Sequence, residues 1–144
     1  MTDVSGDAKN STTVPAFVDT NIVVYALGRD DAKKARARQI LNAMPIASSQ
    51  VINEAIAVFT GKQRFTQDEA YEVAKAFMKL VAVAPVTATT VSDAMELGLR
   101  YGISHWDALI VAAAIHSGCD TLYSEDMQHG QVFNDRLTVD NPFA

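Results

Sequence analysis

The sequence predicts an α/β domain in which a central, mostly parallel sheet is covered by helices on both faces, a three-layer α/β/α arrangement. Short apolar runs alternate with longer segments of helical periodicity, the pattern of strands joined by crossover helices. The runs are almost continuously apolar, as strands buried on both faces must be. A chain of 144 residues with 49% hydrophobic and 20% charged side chains is enough for one core and is neither disordered nor fibrous in composition.

Residues 1–14 are rich in Ser, Thr, Asp and Gly and lack periodicity, so they are expected to form a flexible leader to a domain spanning residues 15–144. Pro15-Ala16-Phe17-Val18 is the first strand, ending at Asp19, and a helix begins near Asn21 and runs to Leu27. Asp30 to Met44 follows as a helix with Ala35, Ile40, Leu41 and Met44 inward, then Pro45-Ile46-Ala47-Ser48 as a strand. From Gln50 to Phe59, Val51, Ile52, Ala55, Val58 and Phe59 share one helical face, with Glu54 beside it. Thr66-Gln67-Asp68-Glu69 has the form of a capping box for a helix continuing to Val81. Val83 to Val86 is a weak strand. Thr90 to Tyr101 is a helix closed by Gly102, which suits a left-handed cap. Ser104 opens the most apolar helix, Ala108 to His116, whose position must be central. Asp120 to Tyr123 and Arg136 to Val139 are the last strands, separated by a polar loop from Ser124 to Gly130.

Four acids stand where a solvated face does not account for them. Asp19 ends the first strand, Glu54 interrupts an apolar helix, Asp107 heads another, and Asp126 follows the Leu122-Tyr123 strand. In a parallel α/β sheet the carboxyl ends of the strands line the ligand crevice, where Asp19 and Asp126 fall by pattern. Each also has a plainer reading: Asp19 as a helix N-cap, Ser104-x-x-Asp107 as a capping box, Glu54 as a marginal surface acid, Asp126 as part of an exposed loop. Two carboxylates about 4 Å apart repel by roughly 4 kcal/mol at an effective dielectric near 20, so a cluster of them calls for a cation. Hard oxygen donors without a Cys–His constellation favour Mg²⁺ or Mn²⁺ over Zn²⁺, which points to phosphoryl chemistry.

At these residues the chain resembles the PIN-domain nucleases, and among them the small VapC-type toxin ribonucleases. Phe17-Val18-Asp19-Thr20-Asn21-Ile22 is similar to the family's opening motif and Ser48 to Glu54 to the segment carrying its glutamate. Ser104 to Ile110 and Leu122 to Met127 resemble its third and fourth acidic motifs. The resemblance implies an endoribonuclease in which Asp19, Asp107 and Asp126 hold Mg²⁺ or Mn²⁺, and Glu54 binds a metal or positions the attacking water. Asn21 and Ser124 match polar positions that orient the acids or the substrate. His129 stands where many relatives carry an aromatic residue, which leaves Glu125 and Asp126 competing for the inner position; Asp126 is taken as the ligand. The resemblance also implies a cognate antitoxin that blocks the site, often with a basic side chain among the acids, and a homodimer. A PIN module that binds RNA or protein without cleaving it is the alternative. A phosphatase of the haloacid dehalogenase type is disfavoured, because Asn21 stands where it needs a second Asp.

Composition narrows the remaining possibilities. Cys119 is the single cysteine, which excludes an internal disulfide framework and suits the reducing cytoplasm. The net charge of −5 argues against nucleic-acid binding by bulk positive charge. Seven of the twelve basic residues nevertheless fall at Arg29, Lys33, Lys34, Arg36, Arg38, Lys62 and Arg64, either as a solvated face or as cations flanking an RNA backbone. Trp106 is expected in the core or at a subunit contact in preference to stacking on a base. His105, His116 and His129 are expected as capping, surface or core residues. The longest apolar stretch, Ala108 to Ile115, is far short of the roughly 20 residues that span a bilayer, so no membrane role is expected.

Overall fold

The computed structural model describes residues 14–28 and 30–144, so the expected leader lies outside the described residues except for Val14. Six strands and six helices follow in the order β1 (Phe17–Val18), α1 (Thr20–Ala26), α2 (Asp31–Asn42), β2 (Ile46–Ser48), α3 (Ser49–Thr60), α4 (Gln67–Leu80), β3 (Ala82–Ala84), α5 (Ala88–Tyr101), α6 (His105–His116), β4 (Thr121–Tyr123), β5 (Val132–Phe133) and β6 (Leu137–Asp140). The sheet order is β3-β2-β1-β4-β6-β5. All neighbours run parallel except the β5–β6 pair.

This order fixes where a ligand crevice must lie. From β1 the chain crosses through α1 and α2 to β2, then through α3 and α4 to β3, always in one direction. It returns through α5 and α6 to β4, on the other side of β1. Because parallel crossovers are right-handed, the reversal puts α5 and α6 on the face opposite α1 to α4. The packing agrees: α1 contacts α2 and α3, α3 contacts α4, and α5 packs on α6. The reversal makes the β1/β4 boundary a topological switch point, where two sets of loops part and leave a cleft at the carboxyl ends of the strands.

Local sequence accounts for most boundaries. Asp30, Ser48, Thr66, Thr87 and Ser104 cap α2 to α6, each accepting a hydrogen bond from the backbone N–H three residues on. Thr66 and Glu69 make the expected capping box. In α6 every residue from Ala108 to Ala114 is buried, and the helix contacts β2 and β6 as well as α5. A helix apolar on all sides needs such a central place. Phe17, Val18, Leu122 and Val139 fill the sheet's interior with no exposure.

Three details depart from the sequence reading. On α2 the inward residues are Ala37, Ile40 and Leu41; Ala35 is exposed, and Met44 is 67% exposed because the helix ends at Asn42. α5 starts earlier, at Ala88, because Thr87 caps it. Strand β5 was hidden in the polar segment before Arg136. Asn134 and Asp135 both take positive φ and the Arg136 N–H donates to the Phe133 carbonyl at 3.0 Å. That tight turn folds two residues back on β6.

Gly102 ends α5 at φ +65°, ψ +33°, and an added Cβ there would meet nothing within 4 Å. The cost of Gly102→Ala is therefore conformational alone, about 1 kcal/mol. Urea unfolding should show a loss of that size; a loss of several kcal/mol would mean a steric role.

Candidate active site at the sheet's switch point

The four acids come together at the carboxyl ends of β1 and β4. Asp19 follows β1 directly and is 7% exposed. Its Oδ1 accepts from the Thr20 N–H at 2.7 Å, capping α1, and its Oδ2 accepts from the Ser124 hydroxyl at 2.8 Å. The N-cap and site readings of Asp19 thus coexist. Ser124, fully buried after β4, also accepts from the N–H groups of Asp126 and Met127 at 3.2 and 3.3 Å. One hydroxyl therefore orients Asp19 and shapes the turn that carries Asp126.

Asn21 is the second clamp on that turn. Its Nδ2 donates to Asp126 Oδ2 and its Oδ1 accepts from the Glu125 N–H, both at 3.2 Å. Glu54 reaches the same place from α3: its Oε1 accepts from the Thr20 hydroxyl at 2.7 Å and its Oε2 from Gln50 Nε2 at 3.2 Å. Asp107, in the first turn of α6, has its N–H capped by Ser104 Oγ at 3.1 Å. Partial burial raises its carboxyl above the usual range, and the charges of Asp126 and Glu54 push the same way. The four acids, from four separate segments, thus lie near enough for their charges to interact: Asp19 with Asp107 and Asp126, and Asp107 with Asp126 and Glu54.

Glu125 has partners of its own. Its carboxylate is engaged by the Tyr25 hydroxyl and by Lys33 Nζ at 2.6 Å. These donors, Lys33 first, hold it below the usual carboxylate range. Lys33 also lies 4.6 Å from the Tyr25 ring centroid, and Tyr25 packs edge-on against Phe143 at 4.9 Å. Of the two neighbours, Glu125 is thus engaged by Lys33 and Tyr25, while Asp126 accepts from Asn21.

The donor set suits a hard divalent cation: carboxylate oxygens beside hydroxyls and amides, with no thiolate or imidazole hydrogen-bonded among them. Among the described residues, however, no three His, Cys, Asp or Glu side chains stand within reach of one common ion. The hydrogen bonds explain the spacing: neutral donors from Thr20, Asn21, Gln50 and Ser124 occupy carboxylate oxygens, and mutual repulsion opposes closer approach. Burial is the chief cause that raises the Asp19 carboxyl to about 6, with the charges of Asp126 and Asp107 adding to it.

Five of the described basic residues have places of their own. Lys33 is spent on Glu125, Arg38 Nε donates to the Ala26 carbonyl at 2.9 Å, and Arg36 pairs with Gln39 at 2.9 Å. Lys62 and Arg64 border a different concavity with Leu27 and Phe65. Arg29 lies outside the described residues. Trp106 is 64% exposed, because burial of α6 begins a half-turn deeper at Ala108; core packing is not its role. His116 pairs with Asp93 at 2.6 Å, and His129 accepts from the Asn141 N–H at 2.9 Å. Sequence reasoning missed Thr20, Gln50 and Tyr25. Gln50 had a signal, since it stands one helical turn before Glu54; Tyr25 had none.

Comparison with known proteins places the chain in a family. The PIN domain family model matches residues 16–132, and the protein belongs to the PIN domain family. Its fold is similar to that of Mycobacterium tuberculosis VapC20, described as a sarcin-ricin loop cleaving toxin, at 24% identity and a TM-score of 0.63, over 77% of this chain and 89% of that one. It is also similar to a toxin–antitoxin complex from Klebsiella pneumoniae at 20% identity and a TM-score of 0.65, over 88% and 97% of the two chains. FitAcB from Neisseria gonorrhoeae gives 18% identity and a TM-score of 0.66, over 89% and 98%. No curated protein sequence matches the chain. No helix among the described residues is long and apolar enough to cross a membrane.

The Asp19 carboxyl titrates near 3.8 when unfolded and near 6 when folded. Below the lower value both states are protonated; above the higher one the folded state carries an ionised buried acid at a cost of about 3 kcal/mol. With metal chelated, wild-type stability relative to Asp19→Asn should therefore fall between pH 4 and pH 7 in urea titrations. Parallel profiles would show that burial does not strain Asp19.

Proposed function

We propose that the protein is a Mg²⁺- or Mn²⁺-dependent endoribonuclease that hydrolyses RNA phosphodiester bonds. What supports this reading most is the PIN fold together with the neighbourhood of Asp19, Glu54, Asp107 and Asp126, close enough for their charges to raise the carboxyls of Asp19 and Asp107. Asp19, Asp107 and Asp126 would hold the metal, with Glu54 as a further ligand or as the group that positions the attacking water. A cation held there would supply an activated water and neutralise charge on the leaving oxygen.

The chain's own residues do the rest by holding these acids in place. Ser124 fixes the Oδ2 face of Asp19. Asn21 fixes Asp126 to the end of α1, and Thr20 with Gln50 fixes both oxygens of Glu54. Held at both oxygens, Glu54 presents its remaining lone pairs in one orientation, as a group accepting a proton from water must. Lys33 and Tyr25 pull Glu125 outward, so the turn offers the pocket a single carboxylate.

The setting proposed is the toxin half of a toxin–antitoxin pair, acting on RNA in the cytoplasm. The toxin–antitoxin complex among the similar structures supports a cognate antitoxin as partner, and a homodimer is proposed beside it. An apolar concavity of about 490 Å³ away from the acids, lined by Val23, Leu27, Leu41, Val73, Phe77 and Leu80, offers a protein partner surface to bury.

Cleavage of single-stranded RNA should fall at least about 100-fold in Asp19→Asn and in Glu54→Gln, with circular dichroism unchanged. Added Mn²⁺ should raise the wild-type Tm, by an amount equivalent to about 2.7 kcal/mol at 100 times its Kd, and should do so less in Asp19→Asn. RNA binding with neither cleavage nor a metal-dependent Tm would instead identify a module that binds without catalysis.

A further inference from the structure

The single tryptophan of the chain stands in water beside the acids. Trp106 immediately precedes Asp107, is 64% exposed, and meets its ring neighbour His105 only edge-on at 5.8 Å. Its ring borders a concavity of about 320 Å³ that Gln50, Asn53 and Glu54 share, over Val86 and Leu109. Gln50 ties the two ends together: its Nε2 donates at 3.2 Å both to Glu54 Oε2 and to the Trp106 carbonyl. An exposed indole, amide side chains and one of the four acids therefore form a single recess.

The lining selects its ligand by chemistry. It contains no basic residue and includes a carboxylate, so a phosphate would be repelled. Its apolar floor, flat aromatic wall and amide edges suit a neutral planar heterocycle with hydrogen-bonding groups on its rim. We propose that this recess is a nucleobase subsite, in which Trp106 stacks on the base of a nucleotide adjacent to the bond being cut while Asn53 faces the base edge. The inference rests on the nuclease reading and deepens it, because the recess shares Glu54 with the pocket where the phosphodiester would lie. An indole stacks on any base, so the subsite favours unpaired RNA, in which bases are free to leave their neighbours.

Being the only tryptophan, Trp106 reports on its own contacts. In Asp19→Asn protein with Mg²⁺, a ten-nucleotide single-stranded RNA of mixed sequence should quench its emission, and an abasic chain of equal length should not. Trp106→Ala, in the same background, should weaken binding of a labelled copy of that RNA by roughly ten-fold, and Trp106→Phe should recover part of the loss. Equal RNA binding by Trp106→Ala, or RNA binding that leaves Trp106 emission unchanged, would overturn the subsite while leaving the nuclease reading intact. Emission that follows protein concentration and not RNA would assign the surface to a second copy of the chain and overturn it as well. Loss of all RNA binding and of wild-type cleavage would overturn both readings.

Discussion

Electrostatic repulsion among carboxylates is the constraint around which this molecule is arranged. Folding brings Asp19, Glu54, Asp107 and Asp126 to the same end of the sheet and buries the first of them to 7% exposure. Removing an ionised acid from water is unfavourable unless hydrogen bonds or a cation compensate. Asp19 receives two short hydrogen bonds, yet burial still raises its carboxyl to about 6. The site therefore works against the stability of the fold that builds it, as expected where function and stability make opposing demands.

The fold answers this with neutral donors placed at fixed positions. Three successive residues at the start of α1 serve three tasks: Asp19 caps the helix, Thr20 holds Glu54, and Asn21 holds the Glu125–Asp126 turn. Because these side chains leave a helix terminus in different directions, one short segment can organise groups from α3 and from the loop after β4. Glu125 adds an anchor outside the pocket, tied to α1 through Tyr25 and to α2 through Lys33. A half-buried, bridged pair of this kind restrains a loop more than it stabilises the fold, since exposed ion pairs contribute little energy.

Position in the sheet explains why so few residues suffice. The strands are only two to four residues long, so every carboxyl end lies close to the central pair β1 and β4. Reversal of the winding direction there opens a cleft without any inserted domain. The first turn of α6 leaves Trp106 exposed and Asp107 half-buried, while Ala108 to Ala114 are sealed in the core.

Read alone, the sequence settled the α/β class and most helix boundaries, and it singled out four acids that the fold brings within range of one another's charges. Those features are local: caps such as Thr66 and Glu69, the period of apolar residues in α3 and α6, and acids set against apolar runs all leave their mark within a few positions. It offered the core or a subunit contact for Trp106, of which 64% exposure excludes the core, and it left Glu125 and Asp126 in competition, because both questions turn on what lies far away along the chain. Glu125 meets Lys33 and Tyr25 at separations of 92 and 100 residues, and no pattern along the chain encodes that meeting. Tertiary structure alone decided that meeting, since only the winding of α1 and α2 around β1 brings those donors to the turn after β4.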